Sequence, residues 1–395
     1  MDILHLIRSL DSRLGGPVEV VRQTAEAHGH LGHSSEVACL DAPSDPWIAG
    51  QPLTVHALGP GRGTYGSSPA LASWLAVQHA RFDVVVVHGL WQYHGLATWR
   101  ALAGSATPYV VFPHGMLDPW FKHAYPLKHV KKWLYWTWIE RHLLRDAAAV
   151  LFTTEEERIL ARTTFWRYRV QERVVGAGIA APPADEGDHQ RAAFLAHFPH
   201  LSATRNLLFL GRIHPKKGCD LLVHAFAAVA GSDPGLHLVM AGPDQDGWCD
   251  ELRRLAASLG IAGRITWAGM LSGDIKWGAL RSAEAFVLPS HQENFGIAVA
   301  EALACGVPVL ISRRVNIWRE VIADGAGVAE DDTITGTTAA LRRWCALDAA
   351  GRAAMGGAAS LCFARRFAID HTAARLAELF ADLRSRTPAL AGSGT

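Results

Sequence analysis

The sequence predicts an α/β protein with two Rossmann-like domains, each built on a doubly wound parallel sheet, that face each other across a cleft. Three observations predict this class. The chain has 395 residues, which is more than one hydrophobic core usually organises. Short apolar runs alternate with stretches of helical spacing, as in parallel sheets covered by helices. This alternation stops near residue 180 and then starts again, so two similar halves are expected.

The first half, residues 1–180, is predicted to be the N-terminal domain. Its strands are short apolar runs, because a strand buried on both faces needs no polar alternation. These runs span 3–7, 37–40, 53–58, 83–88, 109–112 and 147–152. Helical spacing of apolar residues predicts helices over 17–28, 69–79, 93–103 and 127–145.

A stretch rich in Gly, Pro and Ala, residues 176–188, has the composition of a linker. The second domain is predicted over 190–368. Its strands are expected at 206–210, 236–241, 264–268, 285–288 and 307–311, and its helices at 218–230, 251–259, 274–282 and 297–304. Helical spacing resumes at 341; a last helix at about 370–387 could pack back on the first domain, and the tail 387–395 is expected to be frayed.

Composition excludes several classes of protein. Apolar residues make up 49% and charged residues 19%, which is typical of a globular chain. Because 38 basic residues balance 37 acidic ones, bulk charge does not favour nucleic acid. Six cysteines without a CxxC pair predict neither a disulfide framework nor a zinc site. The first residues resemble a strand more than a signal peptide, and no apolar run has membrane-spanning length, so we expect a cytoplasmic protein.

The strongest candidate site follows the predicted strand 285–288. A loop carries Glu293, and a short apolar helix begins near Gly296 and contains Glu301. Free amides and the helix dipole at such an N-terminus suit a phosphate. Because a carboxylate would repel phosphate, Glu293 and Glu301 are expected to bind sugar and ribose hydroxyls. The alternative is that Glu293 only stabilises the helix end and Glu301 is solvated.

A second candidate follows the strand 206–210, in the sequence Gly211-Arg212-Ile-His-Pro-Lys-Lys217-Gly218. Arg212 and Lys217 could meet a diphosphate from two sides, the arginine through its fork and the lysine as a point charge. A solvated basic loop is the alternative reading.

Two N-terminal loops offer further candidates. Gly15 and Gly16 precede a helix that has Pro17 just inside it, which is either an anion site or an ordinary turn. His114 ends the strand 109–112, and His88 is a weaker candidate of the same kind, since a lone strand-end histidine is usually a hydrogen-bonded surface residue.

Residues 61–66 match Gly-x-Gly-x-x-Gly, so a dinucleotide-binding oxidoreductase is an alternative. The match follows the third strand and not the first, which counts against it.

Residues 119–139 interleave four lysines with tryptophan and tyrosine and contain no acidic residue. This mixture is typical of segments at a bilayer interface, so the protein could lie at the inner face of a membrane. Packing of the aromatic rings in the core is the alternative.

Taken together, Gly211-Arg212 with Lys217-Gly218, Glu-x7-Glu at 293 and 301, Ala-Cys-Gly-Val-Pro over 304–308 and the two-domain alternation resemble the family-4 retaining glycosyltransferases of GT-B fold. The resemblance covers nearly the whole chain. It implies that a hexose moves from a UDP- or GDP-sugar to a glycan or lipid-linked acceptor, in the assembly of a surface polysaccharide or glycolipid. Because Arg212 and Lys217 can supply the positive charge that the leaving diphosphate needs, we expect no cofactor and no metal. A nucleotide-sugar epimerase of the same fold is the main alternative.

The resemblance also implies roles for individual residues. Glu293 would contact the donor hexose and Glu301 the ribose, while Arg212 and Lys217 neutralise the leaving diphosphate. His114 would lie near the reacting centre. Donor contacts would further involve Gly15, Gly16, Met270, Asn294, Phe295, Gly296 and Ile297. Asn294 stands where the family commonly has glycine; asparagine tolerates positive φ well, so the loop geometry is expected to survive.

Overall fold

The computed structural model describes residues 1–14, 16–120, 122, 126–183, 186–244 and 247–386. The chain divides into two compact units. Unit 1 contains Met1–Gly178 together with the last helix, Ile369–Arg386, and unit 2 contains Ile179–Ala368. Each unit is a parallel sheet with helices, so the predicted α/β class is confirmed.

Unit 1 has a seven-stranded sheet in the order β3-β2-β1-β4-β5-β6-β7, with every neighbouring pair parallel. The strands are β1 Asp2–Ile7, β2 Ser34–Cys39, β3 Thr54–Ala57, β4 Val84–His88, β5 Tyr109–Phe112, β6 Ala149–Phe152 and β7 Glu172–Val174. The central strands are buried along their length, as their continuous apolar sequences require.

Helices cover both faces of this sheet. They span Gly16–His30, Pro69–Gln78, Tyr93–Leu102, Pro126–Tyr135, Arg141–Asp146, Glu155–Ala161 and Ile369–Arg386. On one face Leu376 and Phe380 of the last helix pack in a cluster with Ile3 and Val84. The C-terminal helix therefore completes the core of unit 1, although it lies far away in sequence.

Unit 2 has a six-stranded sheet in the order β10-β9-β8-β11-β12-β13, again with parallel neighbours. The strands are β8 Arg205–Leu210, β9 Leu236–Ala241, β10 Ile265–Gly269, β11 Ala285–Leu288, β12 Val309–Ser312 and β13 Gly327–Glu330. The helices span Gly187–His197, Cys219–Ala230, Cys249–Ser258, Gly273–Arg281, Ile297–Ala304, Trp318–Ala323, Ile334–Cys345 and Ala349–Cys362.

The structure differs from the prediction at two sheet edges and in several helices. The helices Glu155–Ala161, Gly187–His197 and Trp318–Ala323 were not predicted. The edge strands β7 and β13 were not predicted, because they are short and carry polar or small residues. The helix predicted over 127–145 is interrupted by a π-helical turn at Trp136–Glu140. The tail 387–395 lies outside the described residues.

Each sheet has one point where the strand order reverses. In unit 1 this point lies between β1 and β4, and in unit 2 between β8 and β11. Open α/β sheets bind ligands beyond the carboxyl ends of the strands at such a switch point. Candidate site residues should therefore lie in the loops that follow these four strands.

Candidate functional site

The loops that follow β8 and β11 meet in unit 2. The Lys217 ammonium forms an ion pair with the Glu293 carboxylate, and their side chains are only 14% and 21% exposed. The sequence predicted both residues as site members, and the structure brings them into contact across 76 positions of the chain.

Backbone contacts hold these two loops together. The carbonyl of Lys216 accepts hydrogen bonds from Ser290 Oγ at 3.0 Å and from the His291 amide at 2.8 Å. Gly218 has φ 67°, and a Cβ at this position would lie 2.3 Å from the Pro289 carbonyl oxygen. Only glycine allows this close approach, so the position of Lys217 is fixed by the backbone beside it.

The electrostatic surroundings of Lys217 are mostly unfavourable to its charge. Burial, followed by the nearby charges of Lys216 and Arg212, acts to lower its pKa, and the Glu293 carboxylate opposes this by stabilising the ammonium. Arg212, the other predicted cation, is exposed and close enough for its charge to act on Lys217. The loop after β8 therefore concentrates positive charge at the carboxyl edge of the sheet.

A turn that the sequence did not single out holds the backbone of Glu293. The Glu293 amide donates to the Arg314 carbonyl at 2.9 Å, and the Asn316 amide donates to the Glu293 carbonyl at 3.0 Å. This turn follows β12, the strand next to β11. No short motif marks the turn, so sequence alone gave no signal for it.

The helix Ile297–Ala304 begins as predicted, with Gly296 at its N-cap. Gly296 has φ 78° and no side chain with which to cap the helix. The amides around Phe295, Gly296 and Ile297 thus lie at a helix N-terminus, where the dipole favours an anion.

The expectation for Asn294 needs correction. The non-glycine residues with positive φ in the described chain are Trp91, His114 and Arg167, so Asn294 does not adopt the left-handed conformation. Gly296 provides that turn instead. The Asn294 amide oxygen accepts a hydrogen bond of 3.4 Å from Asn316 Nδ2, so asparagine adds a contact and relieves no strain.

Two other residues predicted to bind the sugar nucleotide, Glu301 and Met270, lie outside the two loops that carry Lys217 and Glu293. Glu301 forms an ion pair of 2.7 Å with Lys276, a residue that the sequence analysis missed. Met270 follows the edge strand β10 and is 77% exposed. Neither residue contacts Lys217 or Glu293 in the hydrogen bonds and ion pairs given by the described structure.

In unit 1 the candidate histidines form a chain. His88 Nδ1 lies 2.9 Å from His114 Nε2, and His88 Nε2 lies 3.0 Å from His5 Nδ1. Burial lowers the pKa of His114 to about 4 and that of His5 to about 3, so these rings are neutral at pH 7. His5 was not a sequence candidate, since a histidine inside a first strand looks like an ordinary buried residue.

The buried carboxylate of Glu157 anchors the loop that carries His114. His114 and Gly115 have φ values of 50° and 73°. Glu157 accepts hydrogen bonds from the Gly115 amide at 2.6 Å and from the Thr153 amide at 2.8 Å. Because Glu157 is 3% exposed, this anchor is part of the core.

The other predicted N-terminal elements have mixed outcomes. Gly16 begins the helix Gly16–His30 after β1, as expected, whereas Gly15 lies outside the described residues. The glycine motif at 61–66 follows β3, the edge strand, and the next helix starts only at Pro69. The loop does reach the switch point of this sheet, because the Thr64 carbonyl accepts a hydrogen bond of 2.8 Å from Arg8, which directly follows β1. A dinucleotide fold carries its glycine motif in the turn after the first strand, however, and this motif follows the third.

Unit 1 also contains a cavity of about 510 Å³ at the carboxyl ends of β1, β2 and β4. Arg8, Asp41, His88 and His94 are among its polar lining residues. Its position matches the switch point of this sheet.

The aromatic segment 119–139 is partly buried and partly exposed. Trp136 is 2% exposed and stacks on Phe165, which fits the core alternative, whereas Trp138 is 75% exposed. Trp133 and Trp166 are also exposed, and both line a surface cavity of about 910 Å³. Within the described part of the chain, no helix combines the length and apolar character needed to cross a bilayer.

No three His, Cys, Asp or Glu side chains among the described residues are grouped so that they could hold a metal ion. The sequence contains an Asp-x-Asp at 244–246, of which 245 and 246 lie outside the described residues. Asp244 accepts from the amides of Trp248 at 2.9 Å and Cys249 at 3.2 Å, so its carboxylate stabilises a helix start.

Two family descriptions match most of the chain. "Glycosyl transferase 4-like domain" matches residues 15–178, and "Glycosyl transferases group 1" matches residues 197–358. Relatives named D-inositol 3-phosphate glycosyltransferase include one from Actinosynnema mirum, 38% identical over 41% of this chain and 37% of its own. Another, from Salinispora tropica, is 32% identical over 54% of this chain and 46% of its own. The chain thus spans less than half the length of these relatives.

Solved structures share the fold over almost the full length. Sucrose-phosphate synthase from Thermosynechococcus elongatus superposes with a TM-score of 0.78 at 21% identity, covering 97% of this chain and 99% of that one. HepE from Anabaena, in complex with UDP-glucose, gives a TM-score of 0.74 at 16% identity, covering 97% and 100%. With the family matches in both units, these findings show that the chain belongs to the family-4 glycosyltransferases of GT-B fold.

Proposed function

We propose that the protein transfers a hexose from a UDP- or GDP-sugar to a glycan or lipid-linked acceptor, with retention of the anomeric configuration. The observation that carries this proposal is the ion pair between Lys217 and Glu293 at the switch point of unit 2. A cation suited to diphosphate and a carboxylate suited to sugar hydroxyls lie side by side there, next to the helix N-terminus at Gly296.

In the proposed mechanism Lys217 and Arg212 bind the donor diphosphate, and the amides near Gly296 add hydrogen bonds. As the glycosidic bond breaks, its electron pair goes to the β-phosphate oxygen, where these groups stabilise the growing charge. The acceptor hydroxyl oxygen forms the new bond to the anomeric carbon on the same face, and its proton passes to the departing phosphate oxygen. Glu293 binds the hexose, and Glu301 binds the ribose through its carboxylate, with Lys276 orienting it.

We propose that this stabilisation needs no divalent metal. The charge of the leaving diphosphate is met by Lys217 and Arg212, both in the loop after β8. Turnover should therefore persist in the presence of EDTA. A loss of activity in EDTA that Mg²⁺ restores would contradict the metal-independent part of the proposal.

Donor identity can be tested by thermal shift with UDP, GDP and their hexose conjugates. A ligand that binds only the folded state raises its stability according to affinity and concentration. The HepE neighbour was solved with UDP-glucose, which favours UDP as the first nucleotide to test. No stabilisation by any of these ligands would contradict the proposal.

The reaction type is tested by NMR of the sugar nucleotide that stabilises the protein. A transferase should release nucleoside diphosphate mainly when an acceptor is added, and the product should keep the donor's anomeric configuration. A nucleotide-sugar epimerase would convert the donor without an acceptor. Conversion of this kind would replace the transferase proposal, and an inverted product would overturn retention alone.

We further propose that unit 1 approaches an anionic membrane surface through the helix Pro126–Tyr135, the π-helical turn Trp136–Glu140 that continues it and the loop 162–169, in keeping with a role in surface polysaccharide or glycolipid assembly. Exposed apolar side chains lie beside exposed basic ones on this surface. They include Leu127, Val130, Trp133, Leu134, Trp138, Trp166, Lys128, Lys131, Arg162 and Arg167. Charged heads with apolar neighbours suit the headgroup region of a bilayer.

Vesicle co-sedimentation tests this surface. The protein should bind vesicles with anionic lipid and bind neutral vesicles weakly, and Trp138→Ser should reduce the bound fraction. Val77→Ser is the matched control, because Val77 is 73% exposed in the same unit but lies on another helix. Equal binding by the two variants, or none by the wild type, would contradict this part of the proposal.

A further inference from the structure

The chain of three histidines runs from His5 inside β1 through His88 at the end of β4 to His114 after β5, and it constrains where each ring carries its proton. A neutral imidazole has one donor nitrogen and one acceptor nitrogen. His88 uses both ring nitrogens within the chain, toward His5 at 3.0 Å and toward His114 at 2.9 Å. Only two proton arrangements satisfy both hydrogen bonds.

In the first arrangement every ring is protonated at Nδ1, so that His5 donates to His88 and His88 donates to His114. In the second every ring is protonated at Nε2, and the direction reverses. The second arrangement leaves an N–H at His5 Nε2, which is buried and without a partner. The first leaves only a lone pair there.

A buried N–H without an acceptor is rarer in proteins than an acceptor that lacks a donor. The buried surroundings of His5 therefore favour the first arrangement. His114 then accepts from His88 through Nε2 and carries its proton on Nδ1. His114 is the partly exposed end of the chain, so that Nδ1–H is the group it offers outward.

Two further contacts keep the rings in place. His88 and His114 stack with their centroids 5.2 Å apart and an interplanar angle of 16°. The loop of His114 is tied to Glu157 through the Gly115 amide. The ring orientation of His114 is thus set by groups inside unit 1.

We infer that His5 and His88 are positioning residues that hold His114 in the Nδ1–H tautomer, so that His114 donates one hydrogen bond to a substrate oxygen and does not act as a general base. Substrate contact rests on the proposed function, whereas the tautomer does not. His114 cannot take a proton from substrate through Nε2, because that nitrogen accepts the hydrogen bond from His88.

The tautomer is measured directly by ¹⁵N–¹H NMR of histidine-labelled protein at pH 7.5, with the His114 signals identified by their loss in His114→Asn. We expect a protonated Nδ1 and an unprotonated Nε2. A protonated Nε2 would overturn the inference. This measurement needs no turnover, so it stands even if the proposed function fails.

Turnover provides the second arm. His88→Leu removes the donor to His114, and kcat/KM should fall about tenfold, the equivalent of one lost hydrogen bond. His88→Asn should restore most of that loss, because an asparagine amide can donate from nearly the Nδ1 position. His237→Gln is the control, since His237 is a buried histidine of unit 2. A fall in His88→Asn as large as that in His88→Leu would contradict the positioning role.

Discussion

Replacing Lys217 by alanine should affect the chemistry of the protein far more than its folding. The mutation leaves the Glu293 carboxylate without its cation, in a site where the two side chains are 14% and 21% exposed. Exposed ion pairs contribute about 0–1 kcal/mol, whereas breaking a buried pair costs about 3–5 kcal/mol. Because this pair is partly exposed, we expect a loss of about 1–2 kcal/mol in the free energy of unfolding.

The expected effect on turnover is larger. Removing one group that stabilises charge in a transition state lowers kcat by a factor of about 100–1,000. The stability loss corresponds to a fall in Tm of about 2–8 °C for a unit of this size. At 25 °C the variant should therefore stay folded, but it should release nucleoside diphosphate at least about 100-fold more slowly than the wild type.

The assay compares initial rates of nucleoside diphosphate release with melting followed by circular dichroism. Arg205→Ala is the matched control, because Arg205 pairs with Glu284 at 2.8 Å but lies at the amino end of β8, the opposite end from Lys217. It should lose stability and keep its rate. A rate within threefold of wild type for Lys217→Ala, or an equal rate loss for Arg205→Ala, would refute the reasoning.

Two further predictions concern stability. Gly218→Ala should lower the free energy of unfolding by about 2–4 kcal/mol, because φ is 67° and the added Cβ would collide with the Pro289 carbonyl. Gly231→Ala is the control and should stay within about 1 kcal/mol of wild type, because Gly231 has φ −69° and no atom lies within 4 Å of the added Cβ. Equal urea midpoints for the two variants would contradict this. Burial lowers the pKa values of His94 and His114 to about 4. Below pH 6.5 these histidines therefore take up protons in the unfolded chain but not in the folded one, so the free energy of unfolding falls as the pH falls toward 4. The expected loss is about 1 kcal/mol per histidine at pH 5.5. A constant Tm between pH 7.5 and 5 would show that these rings are not buried in neutral form.

The central strands could be predicted from sequence because burial on both faces demands uninterrupted apolar residues. β5 and β11 were predicted with their observed bounds. The edge strands β7 and β13 could not be predicted in this way, since an edge strand needs less apolar surface, and β7 is mostly exposed. The packing of Ile369–Arg386 on unit 1 depends on contacts with strands hundreds of residues away.

The candidate site was predictable residue by residue but not as a set of contacts. Lys217 and Glu293 each follow a strand, and their types suit diphosphate and sugar. Their ion pair depends on β8 and β11 being neighbours, which no local pattern specifies. Lys276 and His5 were missed for the same reason, because each gains its importance from a partner that is remote in sequence.

Buried glutamates hold the two loops of unit 1 that follow β4 and β5. Glu157 binds the Gly115 amide after β5, and Glu140 binds the Trp91 amide at 2.7 Å after β4. Trp91 and His114 both have positive φ, a conformation that costs free energy and persists only where the surrounding structure enforces it. Burial raises the pKa of Glu140 to about 8, so this carboxyl group itself is kept in the core at a cost. Strained loops with buried anchors at a switch point are expected where a ligand must find its hydrogen-bonding groups already in place, because the folded core and not the ligand then supplies the ordering energy.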